Sequence, residues 1–88
     1  MDAVANINPV GHVTWKLNKY LEAEGLSAYK LATSVKRGRE NTIYRIAREG
    51  DKVKRVDFEV LADTLDGLRL LTGKDVQFSD ILEYSPDN

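Results

Sequence analysis

Within the nine residues 40–48 the chain carries Glu40, Asn41, Tyr44, Arg45 and Arg48, side chains suited to reading the edges of bases. Asparagine presents a donor and an acceptor in one plane and can bond adenine bidentately; arginine presents two donors and can do the same with guanine. Tyrosine can meet a thymine methyl or a phosphate. Glutamate can accept from a cytosine N4–H or simply favour the start of a helix. Around them stand Arg39, Thr42, Lys36, Arg37, Lys52, Lys54 and Arg55, which suit phosphate oxygens. The chemistry implied is recognition of double-stranded DNA. Catalysis has little support: the chain has no cysteine, its single histidine, His12, has no evident partner, and no glycine-rich loop could cradle a phosphate. No cofactor and no metal are expected.

Such residues must share one face of a helix. Ile43, Ile46 and Ala47 fall at i, i+3 and i+4, which predicts a buried stripe on a helix from Arg39 or Glu40 to Arg48 or Glu49, ending at Gly50. The polar residues then occupy the opposite side. Before it, Ser27 suits the N-cap of a short helix over Ala28 to Ser34, with Leu31 turned to the core and Ala32 small enough for a close helix crossing. The backbone N–H groups near Ser27 would be a further phosphate site. Val35-Lys36-Arg37-Gly38 reads as the turn between the two helices.

The remaining elements frame this pair. Thr14 is read as the N-cap of a first helix ending before Gly25, with Leu17, Leu21, Tyr20 and Trp15 as core residues. Asp57 is read as the cap of a fourth, with Phe58, Leu61, Leu65 and Leu68 as its apolar stripe, Ala62 beside it and Asp63 and Asp66 on its exposed side. It should stop before Gly73. Ser79 is read as capping a last turn from Asp80 to Tyr84. No convincing strand alternation is seen, so the fold class expected is all-α: a compact five-helix domain over residues 14–84, with a loose arm at 1–13 and a short tail at 85–88.

Composition agrees with a small globular domain. The 88 residues are 42% hydrophobic and 31% charged, and no apolar run is long enough to span a membrane. The first thirteen residues lack the basic-then-apolar layout of a secretory signal, and a reduced cytoplasmic setting is expected. The net charge of −1 conceals a strong division. Residues 36–56 carry eight basic against three acidic side chains, whereas residues 57–88 carry two against eight. A domain polarised in this way can offer its basic segment to phosphates and keep its acidic end in solvent.

Two segments also resemble a known family. Leu26-Ser27-Ala28-Tyr29-Lys30-Leu31-Ala32, followed by Asn41-Thr42-Ile43-Tyr44-Arg45-Ile46-Ala47-Arg48, resembles the Cro/C1-type (xenobiotic-response-element) helix-turn-helix regulators. The closing Phe78-Ser79-Asp80-Ile81-Leu82-Glu83-Tyr84 is similar to the end of the same domain. This resemblance implies a lambda-repressor-like fold with a recognition helix at about 40–48, a homodimer on a two-fold operator, and a role as a transcriptional regulator, a repressor in the first instance. The spacing departs from the usual motif by one extra residue between Ala32 and Ile43, and Lys36 stands where the turn glycine is expected. A competing reading is a protein-interaction module, such as the antitoxin of a toxin–antitoxin pair, with the acidic segment 57–88 or an arm gripping a protein partner and DNA binding retained for control of its own operon.

Overall fold

The computed structural model describes residues 10–35 and 38–86. The chain runs β1 (His12–Trp15), α1 (Leu17–Glu24), α2 (Ala28–Ser34), α3 (Glu40–Glu49), a 3-10 turn (Gly50–Lys52), α4 (Phe58–Thr72), α5 (Phe78–Ile81) and β2 (Leu82–Ser85). Five α-helices thus dominate the described residues, accompanied by one two-stranded antiparallel sheet. Residues 1–9 of the expected arm (1–13) and residues 87–88 of the expected tail (85–88) lie outside the described residues, as do Lys36 and Arg37.

The sheet corrects the all-α expectation. Thr14 does not cap a helix; it pairs with Glu83 in a register that also opposes Val13 to Tyr84 and Trp15 to Leu82. The physical reason is visible in the residues. Both segments alternate polar and apolar side chains, and directly opposed residues share a face, so Val13, Trp15, Leu82 and Tyr84 gather on one side. β-branched and aromatic residues favour that pleated surface. The pairing takes in His12, Val13 and Ser85, which had been assigned to the arm and the tail, and α1 begins only at Leu17. At the other end, Gln77 rather than Ser79 is the cap: its side chain and that of Asp80 form a reciprocal capping box. The helix stops at Ile81, and the residues up to Tyr84 belong to β2.

Leu17, Leu21, Leu31, Ala32, Val35, Ile43, Ile46, Ala47, Val60, Leu68, Val76 and Ile81 form one buried core, with Trp15 closing it at the sheet. α2 follows the expected bounds, and Ser27 Oγ accepts from the Lys30 N–H at 3.0 Å as its N-cap. Asp57 caps α4 in the same way, accepting from the Val60 N–H at 2.9 Å. α4 ends at Gly73, whose φ of 70° is the left-handed geometry that closes a helix without a Cβ penalty.

The buried face of α4 differs from the expected leucine stripe. Val60, Asp63, Thr64, Gly67 and Leu68 are buried, at i, i+3, i+4, i+7 and i+8. Phe58 is 87% exposed, Ala62 is exposed, and Leu61 and Leu65 lie at the edge. The helix has turned to bring Gly67 against α2. A Cβ at Gly67 would lie 2.8 Å from Ser34 Oγ and 2.9 Å from Leu31 Cδ1, so only glycine lets the helices approach this closely. Two polar residues fall on the buried face and are satisfied there: Thr64 Oγ1 donates to the Val60 carbonyl at 2.8 Å, and Asp63 pairs with Arg39.

Candidate nucleic-acid interface

α3 is built as a two-sided element. Ile43, Ile46 and Ala47 are buried as one stripe, and Glu40, Asn41, Thr42, Tyr44, Arg45 and Arg48 are exposed on the remaining surface. The helix lies against α2 through Leu31 and Ala32, and its C-terminal end is tied to the sheet. Trp15 Nε1 donates to the Ile46 carbonyl at 2.9 Å in a buried hydrogen bond. That carbonyl is one of the last four of α3, which have no partner within the helix, so the indole satisfies a group that would otherwise be stranded.

The exposed residues interact with one another. The Arg48 guanidinium carbon lies 5.3 Å from the Tyr44 ring centroid, within cation–π range, which restrains both side chains at the surface. Arg45 Nη1 contacts Glu49 Oε1 at 3.1 Å. An exposed pair four residues apart on a helix stabilises by only about 0.3–0.5 kcal/mol, so Arg45 can exchange this partner for another acceptor at little cost. Tyr44, Arg45, Arg48, Glu49 and Lys52 line a shallow cleft of about 460 Å³. On the adjoining side, Thr42, Arg45, Arg55 and Asp57 line another of about 320 Å³. Lys52 and Arg55 are thereby brought beside the α3 residues. Lys54 is exposed but lines a different groove, with Val13, Trp15, Val53, Val56, Phe58, Leu61 and Leu82, and Arg55 borders both.

Arg39 departs from its expected place among the phosphate-facing cations. Its guanidinium bonds the buried carboxylate of Asp63 and, at 2.6 Å, Glu59 on α4. The Asp63 hydrogen bond, with the charges of Asp63, Glu59 and Asp57, raises the Arg39 pKa further above its already high value. Asp63, expected on the solvent side, is in fact 1% exposed. The expected signal for a solvated charge was misleading because the partner lies 24 residues away in sequence. The start of the helix, open between Arg39 and Glu40 on spacing, is settled with Arg39 as N-cap and Glu40 as the first helical residue.

Two residues of α2 outside the expected site, Tyr29 and Thr33, stand at the same surface. Tyr29 on α2 is 69% exposed, and it lines a cleft of about 260 Å³ together with Ala32, Thr33, Glu40, Asn41 and Tyr44. Its exposure two residues past the Ser27 cap was available from the helical period, since Leu31 and Ala32 fix the inward side of α2. Among the described residues no group of three His, Asp or Glu side chains could hold a metal ion, and no helix is long and apolar enough to cross a membrane. Comparison with protein-family models, with curated proteins and with solved structures gave no match.

Proposed function

We propose that this chain binds double-stranded DNA sequence-specifically, inserting α3 into the major groove as the second helix of a Cro/C1-type helix-turn-helix, and acts as a cytoplasmic transcriptional repressor. The observation that carries the reading is the division of α3. One side is wholly committed to the core, and the other presents Asn41, Tyr44, Arg45 and Arg48 beside Lys52 and Arg55. A helix held so firmly from beneath can offer hydrogen-bonding groups to base edges at fixed positions. Asn41 and Arg45 are the base readers, with Arg48, Tyr44 and Glu40 beside them. Thr42, Lys52 and Arg55 serve phosphates, the segment Lys36-Arg37 and the α2 start at Ser27 add to that set, and Lys54 is left out of it because it lines the sheet-side groove. Arg39 is assigned to the frame instead, on account of its pairing with α4.

A homodimer follows from the same reading, since a single short helix reads only one half-site. Val13 and Phe58, 62% and 87% exposed along one apolar groove, support a protein contact on the sheet side. The same surface is what favours the second reading, an antitoxin-like module that holds a different protein there. Selection of bound sequences from a random duplex pool tests the main proposal. The expected product is an inverted repeat with half-sites roughly 10 bp apart, centre to centre. A pool that remains random after repeated rounds refutes it.

A further inference from the structure

We infer that the cleft between α2 and α3 is a pocket for the C5-methyl group of a pyrimidine, so that Tyr29, outside the recognition helix, sets a preference for thymine. The inference rests on the DNA-binding reading above. The cleft is lined by Tyr29, Ala32, Thr33 and Tyr44 together with Glu40 and Asn41. Its character is unlike that of the surrounding surface: two aromatic rings and the methyl groups of Ala32 and Thr33 make an apolar recess directly beside residues placed to hydrogen-bond bases. Tyr29 is 69% exposed and Tyr44 38%, so both rings remain open to an incoming group, while Ala32 at 3% forms the floor.

The major-groove edges of base pairs are almost entirely hydrogen-bonding groups. The one apolar group among them is the thymine methyl, and 5-methylcytosine presents the same group. A recess of this composition next to Asn41 therefore has one natural occupant in that groove. Thr33 Oγ1 donates to the Tyr29 carbonyl at 3.0 Å, so its hydroxyl is occupied by the backbone of α2 and does not compete for a base. Asn41 in the same lining is chemically suited to an adenine, so the pair of contacts favours a thymine next to an adenine on one half-site. Base reading is then shared by both helices of the unit.

The test uses duplexes enriched from the random pool by the full chain, resynthesised with deoxyuridine in place of thymine one position at a time. Removing a buried methyl should weaken binding about four-fold at one symmetric pair of positions and hardly at all elsewhere. Methylated cytosine placed there should restore part of the affinity. Tyr29→Ala should bind thymine and deoxyuridine duplexes equally, whereas Tyr29→Phe should keep the discrimination, with circular dichroism verifying that both variants fold. Uniform indifference to deoxyuridine, or a Tyr29→Ala protein that still discriminates four-fold, overturns the inference while leaving DNA binding intact. Failure of the pool to yield any enriched duplex removes the DNA-binding reading itself, and this inference with it.

Discussion

Trp15→Phe is the most informative perturbation of the frame that holds α3. The indole N–H donates to the Ile46 carbonyl at 2.9 Å, and Trp15 is only 6% exposed, so water cannot replace the lost donor without opening the sheet side of the core. A buried carbonyl left without a partner costs about 1–3 kcal/mol. The smaller ring leaves a void, which adds about 1 kcal/mol. The expected loss is about 2–4 kcal/mol, out of a total of roughly 4–13 kcal/mol for a domain of this size. That corresponds to a fall in melting temperature of roughly 10 °C or more. Because Trp15 is the chain's one tryptophan, unfolding in urea should be followed by far-ultraviolet circular dichroism rather than by fluorescence. DNA affinity measured well below the melting point should also fall, since the last turn of α3 loses its anchor. A stability change below about 0.5 kcal/mol would refute the claim that this hydrogen bond secures the helix end.

Asn41→Ala and Arg45→Ala should each weaken binding to the selected duplex by about 1–3 kcal/mol and relax the preference at one position, with little change on random duplex. Equal losses on both in electrophoretic shifts would assign these residues to phosphate. Lys52→Ala should weaken selected and random duplexes alike and reduce the slope of log affinity against log salt by about 1; an unchanged slope would remove it from the phosphate set. Arg39→Ala should lower the melting temperature, because Asp63 loses a cation within the core, yet leave the salt slope as it is. A slope reduced as much as in Lys52→Ala would return Arg39 to the DNA surface. Burial, followed by the charges of Glu24 and Asp80, raises the Tyr20 phenol above its ordinary value. Above about pH 10 the unfolded chain therefore releases this proton first, so stability is full below that pH and declines as pH rises through the folded value. The Glu24 hydrogen bond, which holds the proton on Lys74, acts in the same direction. Urea titrations from pH 8 to 11 should reveal this loss, and Tyr20→Phe should show less of it; identical alkaline profiles would refute the assignment.

The reach of sequence reasoning differs between elements for physical reasons. α2 and α3 are legible because their signals are local: a serine cap, an apolar stripe at i, i+3 and i+4, and a glycine at the end of α3. The sheet was hidden because four residues give only two turns of alternation, and Thr14 serves equally well as a cap or as a strand residue. α4 was misread in phase. Its most hydrophobic line, Phe58-Leu61-Leu65-Leu68, is not its most buried one, because Gly67 permits close contact with α2 and Asp63 finds a cation. Both facts depend on residues far away in sequence. Tyr29 was legible as exposed but not as part of the proposed reading surface, since its place beside Tyr44 depends on how α2 and α3 pack.

The contradictory charge of the chain follows from the same contacts. A near-neutral protein is a poor candidate for binding a polyanion, and the acidic surplus of residues 57–88 would be a handicap if it lay beside α3. Part of that surplus is instead structural. Asp63 and Glu59 on α4 draw Arg39 inward, fixing the residue that immediately precedes α3. At the other end Trp15 fixes the Ile46 carbonyl. Between these two anchors lie Asn41, Tyr44 and Arg45, and Ile43 holds the helix down beneath them. On the proposed function, the acidic helix would contribute to recognition without touching DNA. It orients the N-terminal end of α3, and its remaining carboxylates, exposed Asp66 among them, disfavour any approach that presents α4 to phosphate. Neutralising Arg39 is consequently expected to disturb the position of α3 rather than the total charge at the interface, which is why the salt slope, and not affinity alone, separates a frame residue from a phosphate contact.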